Sequence, residues 1–419
     1  MAVTSSTRGF RIAMDAHTRH FISTWAVTLG AIVALTVIFN VVVDPYRLLG
    51  WNLLEPAGGV DQRLFKAYEV MHAAPNALIL GSSSVEIGID AHHPAWPHSA
   101  RPIYNLGIFG ATPYLCYRYL QHVLSSRPLT LVVIGLDFEG FIDGFQKDAA
   151  IEPEVESRLT VNSDGSINPE QGWAYARDLL RSLSLSELVD STATVADRVT
   201  DDSNFDVSGD FVFNRSELRE LSTLGSMRTF LLEDVFTIQY FHRLSHAGVR
   251  IDAQVLLTLR DILHLCDSHG THVILFINPV HADRLEIWDS EGLWTAFEDW
   301  KRQLTALTHE YSQAHVHSRI SLWDFSGYHD YATETVVENR PLHEKFFDLS
   351  HYTWAVGDII IRQILGQGGA RPGTELTPEN VEAHLATLRK QQQEYRIRQP
   401  LDVQRVRLLY KGLADTVVP

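Results

Sequence analysis

Cysteine is nearly absent: Cys116 and Cys266 are the only two in 419 residues, and each falls in a separate helical pattern. That excludes a disulfide framework and a thiolate zinc site. The 20 histidines include no HExxH; at His343, "HEKFF" puts Phe347 where a second ligand would be required. No metal or cofactor is expected. A basic stripe is also missing, and the formal net charge of -16 argues against nucleic acid as a partner, because phosphate binding needs clustered Lys and Arg. The C-terminal "RKQQQEYRIRQP" reads as a solvated helix face. No internal repeat is visible, and a 45% hydrophobic fraction is ordinary for a globular chain with a sizeable core.

Charge is missing altogether from one stretch, Phe21 to Val43, "FISTWAVTLGAIVALTVIFNVVV". At about 1.5 Å per residue it is roughly 34 Å long, enough to cross a bilayer. It exceeds the apolar core of a signal peptide, and no A-x-A cleavage site follows, so an uncleaved anchor is expected. Arg8, Arg11 and Arg19 precede it. The positive-inside rule then keeps residues 1–20 in the cytoplasm and places everything after Val43 outside. In a bacterium this is a single-pass protein of the inner membrane with a periplasmic domain.

Beyond a Gly- and Pro-containing linker, 44–75, apolar runs alternate with amphipathic segments. Runs at Asn76–Leu80, Pro102–Gly107 and Leu129–Asp137 are apolar throughout, as buried parallel strands are, and His272–Pro279 and Arg319–Gly327 read as further strands. "TPYLCYRYLQHVLSS", "AQVLLTLRDILHLCDSHG" and "LWTAFEDWKRQLTALTHEY" have helical spacing. The alternation predicts an α/β fold, a doubly wound and mainly parallel sheet over 76–367. It is interrupted at about 146–250 by a polar, partly helical insertion, and 368–419 forms a helical tail.

In such sheets ligands sit outside the carboxyl ends of the strands. "GSSS" follows the first strand, "NLGIFG" the second, "GLDFEGF" the third, and "NPVHADRLE" the fourth. Late in the chain, "DLSHYTWAVGD" places Asp348 three residues before His351. One turn can set that carboxylate under the imidazole and leave the other ring nitrogen for a serine. Ser83 is the candidate nucleophile; alternatively, Ser83 and Glu86 form the S-x-x-E spacing of a capping box. Ser82 and Ser84 read as turn and helix-start residues. His351 is either base or structural histidine, Gly110 either oxyanion donor or turn glycine, and Asp137 either a site residue or a helix N-cap. His281 either lines the site or lies on a surface loop. Trp323, Tyr352 and Trp354 are core or a sugar-stacking floor.

The Gly-x-Ser block, the "NLGIFGATP" block and the late Asp-x-x-His together resemble the SGNH, or GDSL-like, hydrolase and acyltransferase superfamily. The resemblance covers roughly Ala77 to Leu365 and implies a flavodoxin-like domain with a Ser83, His351, Asp348 triad. It further implies oxyanion or substrate-binding roles for Gly110, Asn105, Asp137 and His281. Asp137 stands where that superfamily carries an Asn whose amide serves the oxyanion hole. Within it, the chain looks most like envelope proteins such as the D-alanyl-transfer and alginate O-acetylation proteins, anchored by one N-terminal helix. This implies an O-acyltransferase or esterase acting on an envelope polysaccharide, beside a membrane-bound O-acyltransferase. The alternative is a non-catalytic binding or assembly subunit of the same kind of complex.

Overall fold

The computed structural model describes residues 15–51, 62–144, 151–182, 184–200, 208–211, 215–245, 249–337, 342–367 and 372–414. Six strands form one mixed sheet: β1 (Ala77–Gly81), β2 (Ile103–Gly107), β3 (Leu131–Leu136), β4 (His272–Ile277), β5 (Ile320–Asp324) and β6 (Thr374–Glu375), in the order β2-β1-β3-β4-β5-β6. All neighbours are parallel except β5 and β6. The first three strands are buried at every position, which explains why their sequences do not alternate: both sheet faces are covered. One face is closed by the Pro113–Leu124, Ala253–Ser268 and Trp294–Ala314 helices around Tyr119, Leu263 and Trp300; the other by Trp354–Ile364 around Ile360 and Phe276.

The chain winds from β1 outward to β2, then crosses back to β3. The order therefore reverses between β1 and β3, and the crevice above their carboxyl ends is where a doubly wound sheet offers a site.

Three expectations need revision. The 44–75 linker holds a helix, Gln62–Ala73, whose Phe65, Ala67 and Val70 are buried. The segment's polar look hid that face, and its Lys66 is fully buried against Glu86. The C-terminal tail is helical with a solvated face, as expected, but its other face is docked: it supplies β6, then the helices Val381–Arg398 and Pro400–Ala414, with Leu385, Tyr395 and Val406 buried. The 146–250 segment is helical as expected, with an antiparallel bridge Val161–Ile167, but it is woven into the domain. The Ser208 carbonyl accepts from the Asn105 backbone N–H at 2.7 Å, and the Gly209 carbonyl accepts from Lys66 Nζ at 3.0 Å.

At the N-terminus one helix, Ala16–Val43, is long and apolar enough to cross a membrane, and most of its length is exposed. Asp15 caps its start through the Thr18 N–H.

Candidate active site

The residues after β1 build the first half of the site. Gly81 takes φ of +152°, a backbone region that only glycine enters freely, and turns the chain sharply from strand into the Ser83–Gly88 helix. Ser82, not Ser83, is the N-cap: its hydroxyl accepts from the Ser84 N–H. Glu86 does not reach back to complete a capping box; its carboxylate is paired with Lys66 Nζ at 2.8 Å. Ser83 is thereby released from capping, and its hydroxyl points elsewhere.

It points to His351. The Ser83 Oγ to His351 Nε2 distance is 2.8 Å, and His351 Nδ1 lies 2.5 Å from Asp348 Oδ2. Asp348 Oδ1 accepts from the backbone N–H of Ser350 at 2.7 Å and of His351 at 2.9 Å. The three side chains, separated by up to 268 residues in sequence, form one hydrogen-bonded relay. Close packing makes this possible: Gly357 lies against the Gly88 carbonyl and Gly88 against the Tyr352 ring, so a methyl at either glycine would force the two helices apart.

Electrostatics favours the charge-separated state of the relay. Burial alone would raise the Asp348 pKa, but the adjoining His351 charge and its hydrogen bonds outweigh it and hold the carboxyl below its ordinary value. Burial alone would lower His351; Asp348, and behind it Glu233, overcome that and raise it above 6.5. Serine is a weak nucleophile without a base held against it, and this arrangement supplies one.

A second layer, spread over distant segments, surrounds the relay. Arg284 donates from Nε to Glu139 Oε1 at 2.7 Å and from Nη1 to Ser350 Oγ at 2.5 Å, with Glu233 at 4.0 Å. It thus grips the Asp348–His351 loop from the side. Phe109, half exposed, lies over His351 with ring centroids 6.0 Å apart and planes 28° from parallel. None of these four residues carries a local motif. Phe109 had one sequence signal, a large aromatic in the glycine loop after β2, and the charges had none.

The remaining expected residues divide. Asp137, at the end of β3, accepts from Asn278 Nδ2 at 2.8 Å, while Asn278 Oδ1 accepts from the Tyr352 hydroxyl at 3.0 Å. Burial, reinforced by the charge of Glu139, raises its pKa. It makes no helix-capping bond and instead ties the ends of β3 and β4 together. Gly110 has φ of +66° in an exposed turn. Asn105 is corrected to a framework position: its amide donates to the Ile89 carbonyl at 2.9 Å and to Asp210 at 3.0 Å, and its carbonyl accepts from the Gly107 N–H. Its side chain is spent within the fold. His281 is likewise buried, not on a surface loop; it caps the Ala282–Ser290 helix and its Nε2 faces the Glu334 carbonyl at 2.9 Å. Its backbone N–H donates to the Leu349 carbonyl at 3.0 Å, next to Asp348. Tyr352 is core, whereas Trp354 is exposed and lines a 370 Å³ apolar pocket with Ile87 and Phe347. A cavity of 970 Å³ lies elsewhere, between Tyr328, Arg362 and Gln391, and none of the relay residues lines it. Among the described residues no group of three or more His, Cys, Asp or Glu is placed to hold a metal ion.

No known family model matches the sequence, and no curated protein is similar to it.

Proposed function

We propose that this chain is a membrane-anchored, extracytoplasmic acyl-transfer enzyme on a flavodoxin-like, SGNH-type domain, with Ser83 as nucleophile, His351 as general base and Asp348 as its orienting carboxylate. The observation that carries this reading is the relay itself: two contacts, 2.8 and 2.5 Å, in the order a nucleophile, base and orienter require. Its place at the β1/β3 reversal and the resemblance of the "GSSS" and "DLSH" blocks support the same reading.

In the first step Ser83 Oγ bonds to the acyl carbon of an ester while its proton passes to His351 Nε2. Asp348 stabilises the imidazolium so formed. The C–O bond to the leaving alcohol then breaks, and His351 returns the proton to that oxygen. In the second step an acceptor hydroxyl gives its proton to His351 Nε2 as its oxygen bonds to the acyl carbon; the bond from that carbon to Ser83 Oγ then breaks, and His351 returns the proton to Ser83 Oγ. Backbone N–H groups at Ser83 and Gly110 are the proposed oxyanion donors, each worth about 10² to 10³ in rate. Asp137, engaged by Asn278, is a framework residue in this scheme rather than an oxyanion donor.

The acceptor is a hydroxyl of an envelope or exported polysaccharide, and the acyl group arrives from a membrane-bound O-acyltransferase; water in place of the acceptor gives an esterase. The anchor lies in the cytoplasmic membrane with the sheet domain on the periplasmic side, a reading supported by the apolar helix and the arginines before it.

The test is labelling by a fluorophosphonate probe. The wild-type chain is expected to be labelled and Ser83→Ala not. Equal labelling of both removes Ser83 as nucleophile, and an unlabelled wild type shifts the reading to a non-catalytic subunit.

A further inference from the structure

The anchor helix is bare along most of its length, but Thr36, Asn40 and Val43, which share one face near its end, are buried. The helix packed there comes from the insertion: Leu185–Thr200. Asn40 Nδ2 donates to the Ser184 carbonyl at 3.0 Å, and the Tyr46 hydroxyl donates to Asp190 Oδ2 at 2.6 Å. These bonds fix the height of the insertion helix relative to the membrane. Asn40 is three residues inside the end of the apolar span, about 5 Å by helical rise. Ser184 therefore sits at that depth, and Leu185 follows it directly.

The side of this helix turned away from the anchor is unlike a solvated face. Among the described side chains of residues 185–196, its exposed positions are Leu185, Ser186, Val189, Thr192, Ala193 and Ala196, none of them charged. Leu185 is 69% exposed and Val189 67%. The charged side chains of its first two turns turn inward: Glu187 is buried, and Asp190 is held by Tyr46. On the preceding helix, Gln171–Arg181, Trp173 and Leu180 are exposed seven residues apart, hence on one side, with the partly exposed Arg177 between them.

Resting on the reading of Ala16–Val43 as a membrane anchor, we infer that the Leu185–Thr200 helix is a second, interfacial membrane element. Its uncharged stripe is seated in the outer boundary of the bilayer that the anchor crosses. A depth of about 5 Å falls within the 5–10 Å to which interfacial helices bury their apolar side. Lipid is the occupant the observations favour, because the stripe is continuous with the anchor and at a height the anchor dictates. The domain is thereby held by two contacts instead of swinging on one.

The full-length protein, reconstituted in vesicles of phosphatidylethanolamine and phosphatidylglycerol, gives the test. Single cysteines carrying a nitroxide label replace Val189, Val33 in mid-anchor, and Val316, which is 83% exposed. Cys116 and Cys266 are buried. Relaxation by oxygen, which partitions into lipid, is compared with relaxation by a water-soluble nickel chelate. The oxygen-to-nickel ratio at Val189→Cys is expected to exceed that at Val316→Cys several-fold, approaching that at Val33→Cys. A Val189 ratio equal to that of Val316, with Val33 still high, overturns the inference, keeps the anchor, and leaves the stripe to a protein neighbour. A low ratio at Val33 overturns the anchor reading and the inference with it.

Discussion

Replacing Asp348 by Asn changes one oxygen into an NH₂ group and almost nothing else, and so isolates what the carboxylate does. Oδ1 keeps its two backbone donors, Ser350 N–H and His351 N–H. The amide NH₂ then faces His351 Nδ1, where the carboxylate oxygen was 2.5 Å away. A donor there demands a lone pair on Nδ1 and drives the imidazole proton to Nε2. His351 then donates to Ser83 instead of accepting from it, and the base is lost while the geometry stays. The expected fall is about 10⁴ in turnover, about 5 kcal/mol of transition-state stabilisation at 1.36 kcal/mol per tenfold. Folding loses one charge-assisted hydrogen bond, about 2 kcal/mol. The measurements are turnover of a small activated aryl ester and the fluorophosphonate labelling rate, with circular dichroism to verify the fold. A loss of less than tenfold in a folded variant would refute the relay as the source of nucleophilicity.

Three further outcomes follow from the geometry. Because His351 must be neutral to accept a proton and its pKa is raised, kcat/KM should rise with pH through an inflection above 6.5. Glu233→Gln, which removes one of the charges raising it, should move that inflection down; an unchanged or higher inflection contradicts the assignment. Linkage has the opposite sign for the two partners. The stability His351 contributes is full below 6.5 and lost as pH rises through its folded pKa, while that of Asp348 is present above 3.8 and lost as pH falls through its lowered one. Asp137→Asn leaves one oxygen to accept from Asn278 and sets an NH₂ donor where the other oxygen was, beside the Asn278 amide. Stability should drop by about 1 kcal/mol in denaturant titration with turnover also lower, whereas a rise in turnover would mean that the carboxylate obstructs an oxyanion hole. Gly357→Ala places a methyl against the Gly88 carbonyl and should cost about 1–3 kcal/mol by overpacking, with labelling of Ser83 slowed because the two helices separate; unchanged labelling would show that the relay tolerates the shift.

The sequence carried the strands and the Asp348–His351 half of the relay because both are local signals, whereas Ser83, 268 residues from His351, was singled out by its block after the first strand. A strand buried on two faces is an unbroken apolar run, as at Leu78–Leu80, and Asp348 and His351 are close enough for one turn to join them. What it concealed depends on distant segments. Arg284, Glu139 and Glu233 meet only after the sheet is wound, and each alone reads as a surface charge. Asn105, in the block that closes β2, and His281, just past β4, looked like site residues, yet the Ile89 carbonyl with Asp210 and the Glu334 carbonyl claim their side chains. The Gln62–Ala73 helix was hidden by Lys66, whose ammonium is buried by four oxygens from three separate segments, Glu86, Asn105, Gly107 and Gly209.

That lysine has a mechanical consequence. Just beyond the anchor, Arg47 pairs with Glu69 of the same helix that carries Lys66, and Lys66 pairs with Glu86, three residues past Ser83. Two ion pairs and one short helix form a strut from the end of the apolar N-terminal helix to the Ser83 turn, so on the proposed reading a displacement of the anchor is transmitted to the serine rather than absorbed by a slack tether. A soluble version beginning at Gln62 would sever the strut and leave the buried Glu69 without its arginine, whereas one beginning at Asp44 keeps both pairs.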